Sequence, residues 1–462
     1  MELLKKNIHM NYQKARVRNQ QTLSEDFNIP DKKPDALGLI QKRGTVSIAE
    51  VRPGEGQVLV KGSLTVHILY VAEGENHRIC RIAAQFPFEE RILMPEAVPG
   101  ETVDLRAELE DLKVRLINSR KFSIQALLSF EGTMEELYDV QAGVEVHGEE
   151  NVSVQTRNLS PISLSVRNRD ILRIREEITL SSSKPNIGEI LWDSVELRGT
   201  DVRVLDGELD VRGELFAFVL YEGDGEKPAR EWMEVSLPFQ QKVECAGSRP
   251  ELIPDVEIRL NSIVLTAAPD YDGEERVIQV EAVLGLNIRL YEEETVEILK
   301  DVYSPSRELI PIRKEETYES LVTRNFSKCR ASDRVKMSKD APRMLQFCHS
   351  QGEVRIDEVE MTDRGIQVDG VVQVTILYVT SDDTMPFAIM QGDVPFSHLI
   401  EAEGLNRNCR CNLTAGLEQL SAAMIDSEEI EVKASVSLHA FVAEAHRSSC
   451  SGEVEEQELD MM

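Results

Sequence analysis

The sequence predicts an all-β protein made of three tandem antiparallel β-sandwich-like domains. Three observations support this prediction. An alternating apolar phrase occurs three times, its flanking prolines keep a constant spacing, and polar turn signals separate short strand-like segments. The chain has 462 residues, which is enough for about three domains of roughly 150 residues each.

The repeated phrase opens with Val-x-Gly and ends in Tyr. It spans Val60–Tyr70, Val211–Tyr221 and Val368–Tyr378. Apolar residues alternate with mostly polar ones, which is the period of a strand that buries one face. We expect each Tyr (Tyr70, Tyr221, Tyr378) to pack its ring and to hydrogen-bond its hydroxyl close by.

The flanks of the phrase hold the same register. A proline precedes each phrase and a Pro-Phe pair follows it: Pro34 with Pro87-Phe88, Pro185 with Pro238-Phe239, and Pro342 with Pro395-Phe396. Equivalent positions are 151 residues apart between copies 1 and 2 and 157 apart between copies 2 and 3, without insertion or deletion. A one-residue slip would turn every side chain to the wrong face, so this spacing predicts one shared strand register.

Each copy reads as a series of short strands. A strand-like phrase precedes the first proline, a Gly- or Asp-containing turn follows the Tyr, and the Pro-Phe pair is expected to end or edge the return strand. Two more alternating stretches complete the copy. The segments before copies 2 and 3, 151–175 and 304–332, are interpreted as lead-in strands of the copy that follows.

The predicted domains are 1–150, which includes a basic N-terminal lead-in, then 151–305 and 306–450. An acidic tail over 451–462 is expected to be disordered.

The formal net charge of −30 argues against nucleic acid and anionic lipid as partners. The exception is the basic arm, in which Lys5, Lys6, Lys14, Arg16 and Arg18 stand against Glu2 alone. It either pairs with acidic surface nearby or docks onto another copy or an acidic partner.

The seven cysteines are odd in number and occupy non-equivalent positions, which is not a disulfide framework. We therefore expect free thiols and a reducing compartment. The N-terminus does not read as a secretory signal, and no apolar run is long enough for a spanning helix.

We find no pattern typical of an active site, and we predict no catalytic, cofactor-binding or metal-binding residues. A zinc site is conceivable only in copy 3, because thiolate and imidazole groups concentrate there: Cys348, His349, His398, Cys409, Cys411, His439, His446 and Cys450. Against this, Cys409 and Cys411 align with Val256 and Ile258, 153 residues earlier. Those are core-face positions, where cysteine behaves as a small hydrophobe.

The phrase with its Pro-Phe pair, the lead-in at residues 1–10 and the segments 187–192 and 301–305 resemble the SPOCS domain of endospore-forming bacteria. The resemblance covers nearly the whole chain, three times over. It implies a spore coat morphogenetic protein of the mother-cell cytoplasm, acting at the forespore surface without catalysis. The best-known relatives carry a C-terminal LysM module that contacts the basement-layer ATPase of the coat. Here we expect that module to be lacking, so this partner is not carried over.

The sequence thus favours a non-enzymatic scaffold in endospore coat or envelope assembly. Its expected partners are other coat or morphogenetic proteins and further copies of itself, with no nucleic acid and no membrane insertion. The alternative is a module that binds cell wall or polysaccharide. Since Trp192 and Trp232 are the only tryptophans, the aromatic platforms that this alternative requires are scarce. The edges of the sheets are the interaction surface that we expect.

Overall fold

The computed structural model describes residues 2–74, 77–147, 152–225, 229–305 and 308–457. Within these ranges the chain forms twenty strands and no helix, so no helix there is able to span a membrane. The strands make six three-stranded sheets and one two-stranded sheet, and every strand pairing is antiparallel. The predicted all-β class is confirmed.

Copy 1 contributes β1 (Glu2–Asn28), β2 (Ala36–Gly54), β3 (Gln57–Ala72), β4 (Ile79–Leu93), β5 (Val103–Asn118) and β6 (Lys121–His147). Copy 2 contributes β7 (Ser153–Leu159), β8 (Ile162–Thr179), β9 (Ile187–Val204), β10 (Glu208–Gly223), β11 (Arg230–Glu244), β12 (Ile253–Pro269), β13 (Glu275–Glu293) and β14 (Val296–Tyr303). Copy 3 contributes β15 (Glu308–Lys336), β16 (Met344–Thr362), β17 (Gly365–Thr380), β18 (Phe387–Glu401), β19 (Cys409–Met424) and β20 (Glu429–Gln457).

Each copy packs two sheets face to face around its own core. One sheet has the repeated phrase at its centre, in the orders β2-β3-β4, β9-β10-β11 and β16-β17-β18. The other places the lead-in strand beside the last strand, in the orders β1-β6-β5, β8-β13-β12 and β15-β20-β19. The interpretation of the segments before copies 2 and 3 as lead-in strands is therefore confirmed.

The sheet edges are covered within each copy. Strands β4, β11 and β18 lie beside the lead-in strands β1, β8 and β15, and strands β2, β9 and β16 lie beside β5, β12 and β19. The Pro-Phe prolines, Pro87, Pro238 and Pro395, fall in the middle of the edge strands and do not end them. Because proline offers no N–H to a ladder, these edges are poor templates for pairing with another chain. That sheet edges form the interaction surface stays a prediction.

The glycine of the phrase and the phenylalanine of the Pro-Phe pair form one structural unit. Gly62 stands opposite Phe88, and Gly213 and Gly370 stand opposite the equivalent Phe239 and Phe396. A Cβ at these glycines would lie 2.5, 2.7 and 2.8 Å from the ring atom Cζ of the phenylalanine. Each ring thus needs the space that only glycine leaves.

The recurring tyrosine ties the phrase to the recurring proline. The hydroxyl groups of Tyr70, Tyr221 and Tyr378 donate to the carbonyl oxygens of Pro34 at 2.9 Å, Pro185 at 3.2 Å and Pro342 at 3.1 Å. All three tyrosines are fully buried, and burial raises the pKa of each hydroxyl above its usual value. They therefore stay protonated donors, and the predicted structural role is confirmed.

The lead-in and last strands extend beyond the sandwiches as three paired ribbons. The N-terminal part of β1 pairs with the C-terminal part of β6, β7 pairs with β14, and the start of β15 pairs with the end of β20. We call these ribbons the stalk. Apolar side chains from all three ribbons meet inside it, among them Ile8, Val140, Ile298 and Tyr318.

The prediction that residues 451–457 are disordered is wrong. They belong to β20 and pair with β15 from Glu308 to Arg313. The rest of the predicted tail, 458–462, lies outside the described residues.

The three copies surround a pseudo-threefold axis. Side chains from all of them form one buried apolar group, which we call the axial cluster: Ile40, Leu69, Val71, Ile79, Leu191, Trp192, Phe218, Leu220, Cys348, Leu377 and Phe387. At the other end the stalk also draws on all three copies. Each copy therefore touches the other two, and the chain closes into a ring.

Candidate functional site: the contacts between the copies

The residues singled out in copy 3 do not converge. Cys348 lies in the axial cluster, whereas Cys409 and Cys411 pack against the core of copy 3. His439 stacks edge-on against Phe326 and His446 hydrogen-bonds Ser320. His398 stands on β18, and the side chain of Cys450 lies outside the described residues. Among the side chains described, no three His, Cys, Asp or Glu groups are placed to share a metal ion.

The thiols are poorly suited to chemistry. The six cysteines whose side chains are described are free. Burial raises the pKa of Cys348 to about 12 and that of Cys411 to about 11. Since the thiolate is the nucleophile and the metal ligand, both are inert at neutral pH.

The alignment of Cys409 and Cys411 with Val256 and Ile258 is corrected by four residues. The bulges in β5, β12 and β19 fall after Leu109, Leu260 and Leu417, which are 151 and 157 residues apart, as in the phrase. Cys411 is therefore equivalent to Pro254, not to Ile258. A slip of four, being even, keeps the same face of a strand, and for this reason the core-face interpretation of the two cysteines still holds.

The basic arm is a strand whose charges are met within the chain. Lys6 forms an ion pair with Glu294 of copy 2, and Lys14 with Glu101 at 3.0 Å. Arg16 and Arg18 both pair with Glu131. Of the two alternatives, pairing with acidic surface nearby describes what these residues do.

Three contacts join the ring, and we name them contact I (copies 1 and 2), contact II (copies 2 and 3) and contact III (copies 3 and 1). Equivalent residues are identified by strand pairing: Thr133, Arg289 and Phe441 pair on one side with Arg16, Arg167 and Arg324 and on the other with Asp104, Asp255 and Asn412. The contacts can therefore be compared position by position.

Beside the axial cluster, contact I is a buried ionic group. Asp193 of copy 2 accepts from Arg81 at 2.6 Å and from Arg43 at 3.2 Å, and both guanidinium groups lie over the ring of Trp192. Burial alone would raise the pKa of Asp193, but the two arginines outweigh it and hold that pKa below its ordinary value. The carboxylate stays charged and joins the copies.

Contact I is ionic beside the stalk as well. Asp104 lies 3.5 Å from Arg169, and Glu135 lies 3.1 Å from Arg167 and 2.7 Å from Arg289. Two acids of copy 1 thus meet three arginines of copy 2.

Contact II uses aromatic rings at the same positions. His349, the equivalent of Trp192, stacks on Phe218 with ring centroids 4.1 Å apart. Its Nε2 lies 2.9 Å from the Ser194 hydroxyl and its Nδ1 2.6 Å from a carboxylate oxygen of Glu234. Beside the stalk, Tyr291 and Phe441 stack at 5.1 Å where contact I has Glu135 and Arg289.

Contact III has neither the ionic groups of contact I nor the stacked rings of contact II. The equivalents of Asp104 and Glu135 are Asn412 and Ala443, so Arg16 and Arg18 have no acid across the contact at these positions. Gln41, the equivalent of Trp192 and His349, is 7% exposed and its side-chain oxygen has no hydrogen-bond partner. The polar links seen are Arg355 to the Glu110 carbonyl at 2.7 Å and the Tyr138 hydroxyl to the Thr317 carbonyl at 2.8 Å.

A cavity of about 1,600 Å³ lies between the three copies. Arg106 and Glu257, an ion pair of contact I, line it together with Arg18, Arg324 and Glu353, whereas Arg167, Arg169 and Glu135 of contact I do not. Burial and the nearby Glu108 raise the pKa of Glu353. All three contacts therefore border this space between the copies.

The contact residues could not be found from the repeat. Asp193, for example, is equivalent to Lys42 and Ser350, so it has no counterpart of its own kind in the other copies. The one available signal was its place in a strand that is otherwise buried on both faces, from Leu191 to Val195.

Comparison with known families identifies the repeat. The SPOCS domain of SipL matches residues 35–117, 186–267 and 343–425, which together make up more than half of the chain. The chain belongs to the SPOCS-domain family. No curated protein and no solved structure matches it.

Each SPOCS match has the same extent in the structure. The three matches cover β2 to β5, β9 to β12 and β16 to β19. The lead-in and last strands, which build the stalk, lie outside the matched segments. Membership in this family indicates a role connected with sporulation, and the all-β fold agrees with a non-catalytic role.

Proposed function

We propose that this SPOCS protein is a non-enzymatic scaffold in the assembly of the endospore coat or envelope. It acts through protein–protein contacts, in the mother-cell cytoplasm at the surface of the forespore. Its partners are other coat or morphogenetic proteins and further copies of itself. The observation that carries the proposal is the triple SPOCS match.

The use of polar side chains supports this proposal. Asp193 with its arginines and His349 with Glu234 lie between copies and hold one copy against the next. The recurring tyrosines are engaged with backbone carbonyls. Charged and aromatic groups thus hold the copies of the ring together, which is what a scaffold requires.

The alternative, a module that binds cell wall or polysaccharide, is less well supported. Trp192 is 3% exposed, and Trp232 packs against the axial cluster at contact II, edge-on to Phe387. Neither indole is free to stack on a sugar ring.

The proposal is tested by the position of a fluorescent fusion in sporulating cells of the source organism, with vegetative cells as the control. We expect a ring or cap around the forespore that appears only after engulfment begins. A diffuse signal, or equal expression in cells that never sporulate, would contradict the proposal. Where a ring is seen, a pull-down from the same cells identifies the partners.

A further inference from the structure

The three contacts of the ring differ in how the chain supports them. Copies 1 and 2 follow each other directly in the chain, as do copies 2 and 3, so contacts I and II each join neighbours in sequence. Copies 1 and 3 are the first and the last of the three, so no connector joins them directly across contact III. It depends on non-covalent interactions alone.

Those interactions are also the weakest in the ring. Among the described residues, nine ion pairs cross contact I. Within the described part of the chain, one pair crosses contact II, between Glu234 and His349 (charged only when protonated), and none crosses contact III. A buried polar atom without a partner, the Gln41 oxygen, further weakens contact III.

The two faces of contact III are different surfaces of the repeat. Copy 3 presents the face with Arg355 and Met385, and copy 1 presents the face with Gly38, Gln41 and Glu110. An interface between two different faces closes into a ring when the rotation allows it, and otherwise continues from one molecule to the next. Both faces are present on every chain.

We propose that contact III is the self-association site of this protein: it opens, and copy 3 of one chain then binds copy 1 of a second chain. The partner is a second copy of this chain, because the intramolecular contact already shows that the two surfaces fit. The contact between chains repeats contact III, so the product is a head-to-tail chain of molecules that are each opened at contact III. The inference rests on the proposed scaffold function for its biological setting only.

Concentration decides between the closed and the linked form. Opening uncovers part of the axial cluster, including Ile40 and Leu377, so a dilute chain closes on itself. Closure within one chain competes as if the partner face were present at an effective concentration on the order of 1 mM. Linked forms should therefore be rare when the protein is dilute and should increase with its concentration.

The experiment is refolding of the full-length chain from denaturant at about 1, 10 and 100 µM, concentrations that approach this effective value. The products are separated by size and measured by light scattering. We expect the fraction of dimers and larger forms to rise roughly tenfold for each tenfold step while it remains small. A chain that is monomeric at all three concentrations overturns the proposal.

A disulfide across contact III distinguishes this site from any other. A Cβ at Gly38 would lie 2.9 Å from the Met385 Sδ, so Gly38→Cys with Met385→Cys puts one thiol on each side of contact III at a point where the two side chains meet. The oxidised double variant should refold to monomer at every concentration, and reduction should restore the linked forms. The two single variants are the matched controls, since neither can close the disulfide.

The outcomes separate this inference from the proposed function. Oligomers that form equally in the oxidised double variant, with its disulfide confirmed by intact mass, would place the self-association site elsewhere. If that variant stays monomeric and its fusion still marks the forespore, the scaffold function holds and this contact is dispensable for localisation. If the wild type oligomerises as expected but its fusion is diffuse, the contact holds and the proposed function fails.

Discussion

Contacts I and III use the same positions of the repeat with opposite results. At contact I, Asp193 and Glu135 each meet arginines of the other copy. At contact III the acid beside the stalk is replaced by Ala443, and a cavity runs beside the axis. Three copies of one fold have thus become a ring with one firm and one weak contact. The comparison teaches that the side chains between the copies, and not the shared fold, set how firmly each contact holds.

The largest expected effect comes from breaking contact I at Asp193. Asp193→Ala leaves Arg43 and Arg81 buried without their carboxylate, and should lower the free energy of unfolding by about 3–5 kcal/mol. Denaturant unfolding measures this. The control is Ser350→Ala, the equivalent buried position of copy 3, which should cost no more than about 1 kcal/mol. Equal losses in both variants would contradict the ionic account of contact I.

Removing His349 tests contact II, which we place between the other two in strength. His349→Ala removes the stack on Phe218 and the hydrogen bonds to Ser194 and Glu234. We expect a loss of about 2–4 kcal/mol in unfolding free energy. Gln41→Ala, the equivalent change at contact III, is the control and should cost less. The ranking of the contacts is wrong if the glutamine change is the more damaging.

Contact I also makes stability depend on pH through His67. Burial, with Arg43 and Arg81, lowers the pKa of His67 from 6.5 to about 4. Between these values the unfolded chain binds a proton that the folded chain does not, so stability falls as the pH falls from 6.5 to about 4. Allowing for partial exposure, we expect a loss of about 2 kcal/mol from this residue.

The matched variant for this pH effect is His67→Phe, which copies Phe218, the equivalent residue of copy 2. Thermal unfolding across the same pH range should show a flatter dependence in the variant than in the wild type. An unchanged slope would mean that another group is responsible.

The smallest effect, and one of opposite sign, is expected at contact III. Gln41→Met removes a buried oxygen that has no partner while keeping a side chain of similar length. It should raise the free energy of unfolding by about 1 kcal/mol and reduce the linked forms seen on refolding. A loss of stability would show that the glutamine is better satisfied than the geometry indicates.

The sequence by itself determined the repeat and its local structure. The constant spacing from Pro34 to Phe88 fixed which strands recur and in what register, because alternation with a period of two records which face of a strand is buried. The same pattern predicted the structural role of Tyr70 and its equivalents. It could not detect a slip of four residues in β19, since an even slip keeps every side chain on its face.

Only the tertiary structure decided how the copies meet. Periodicity records that a face is buried but not what covers it. The strands of the axial cluster and the stalk therefore cannot be distinguished in the sequence from other strands. The groups that distinguish the three contacts, such as Asp193, His349 and Gln41, differ from copy to copy and leave no repeated signal. The partners of Asp193 and His349 lie more than 100 residues away in the chain, and folding of the whole ring brings them together.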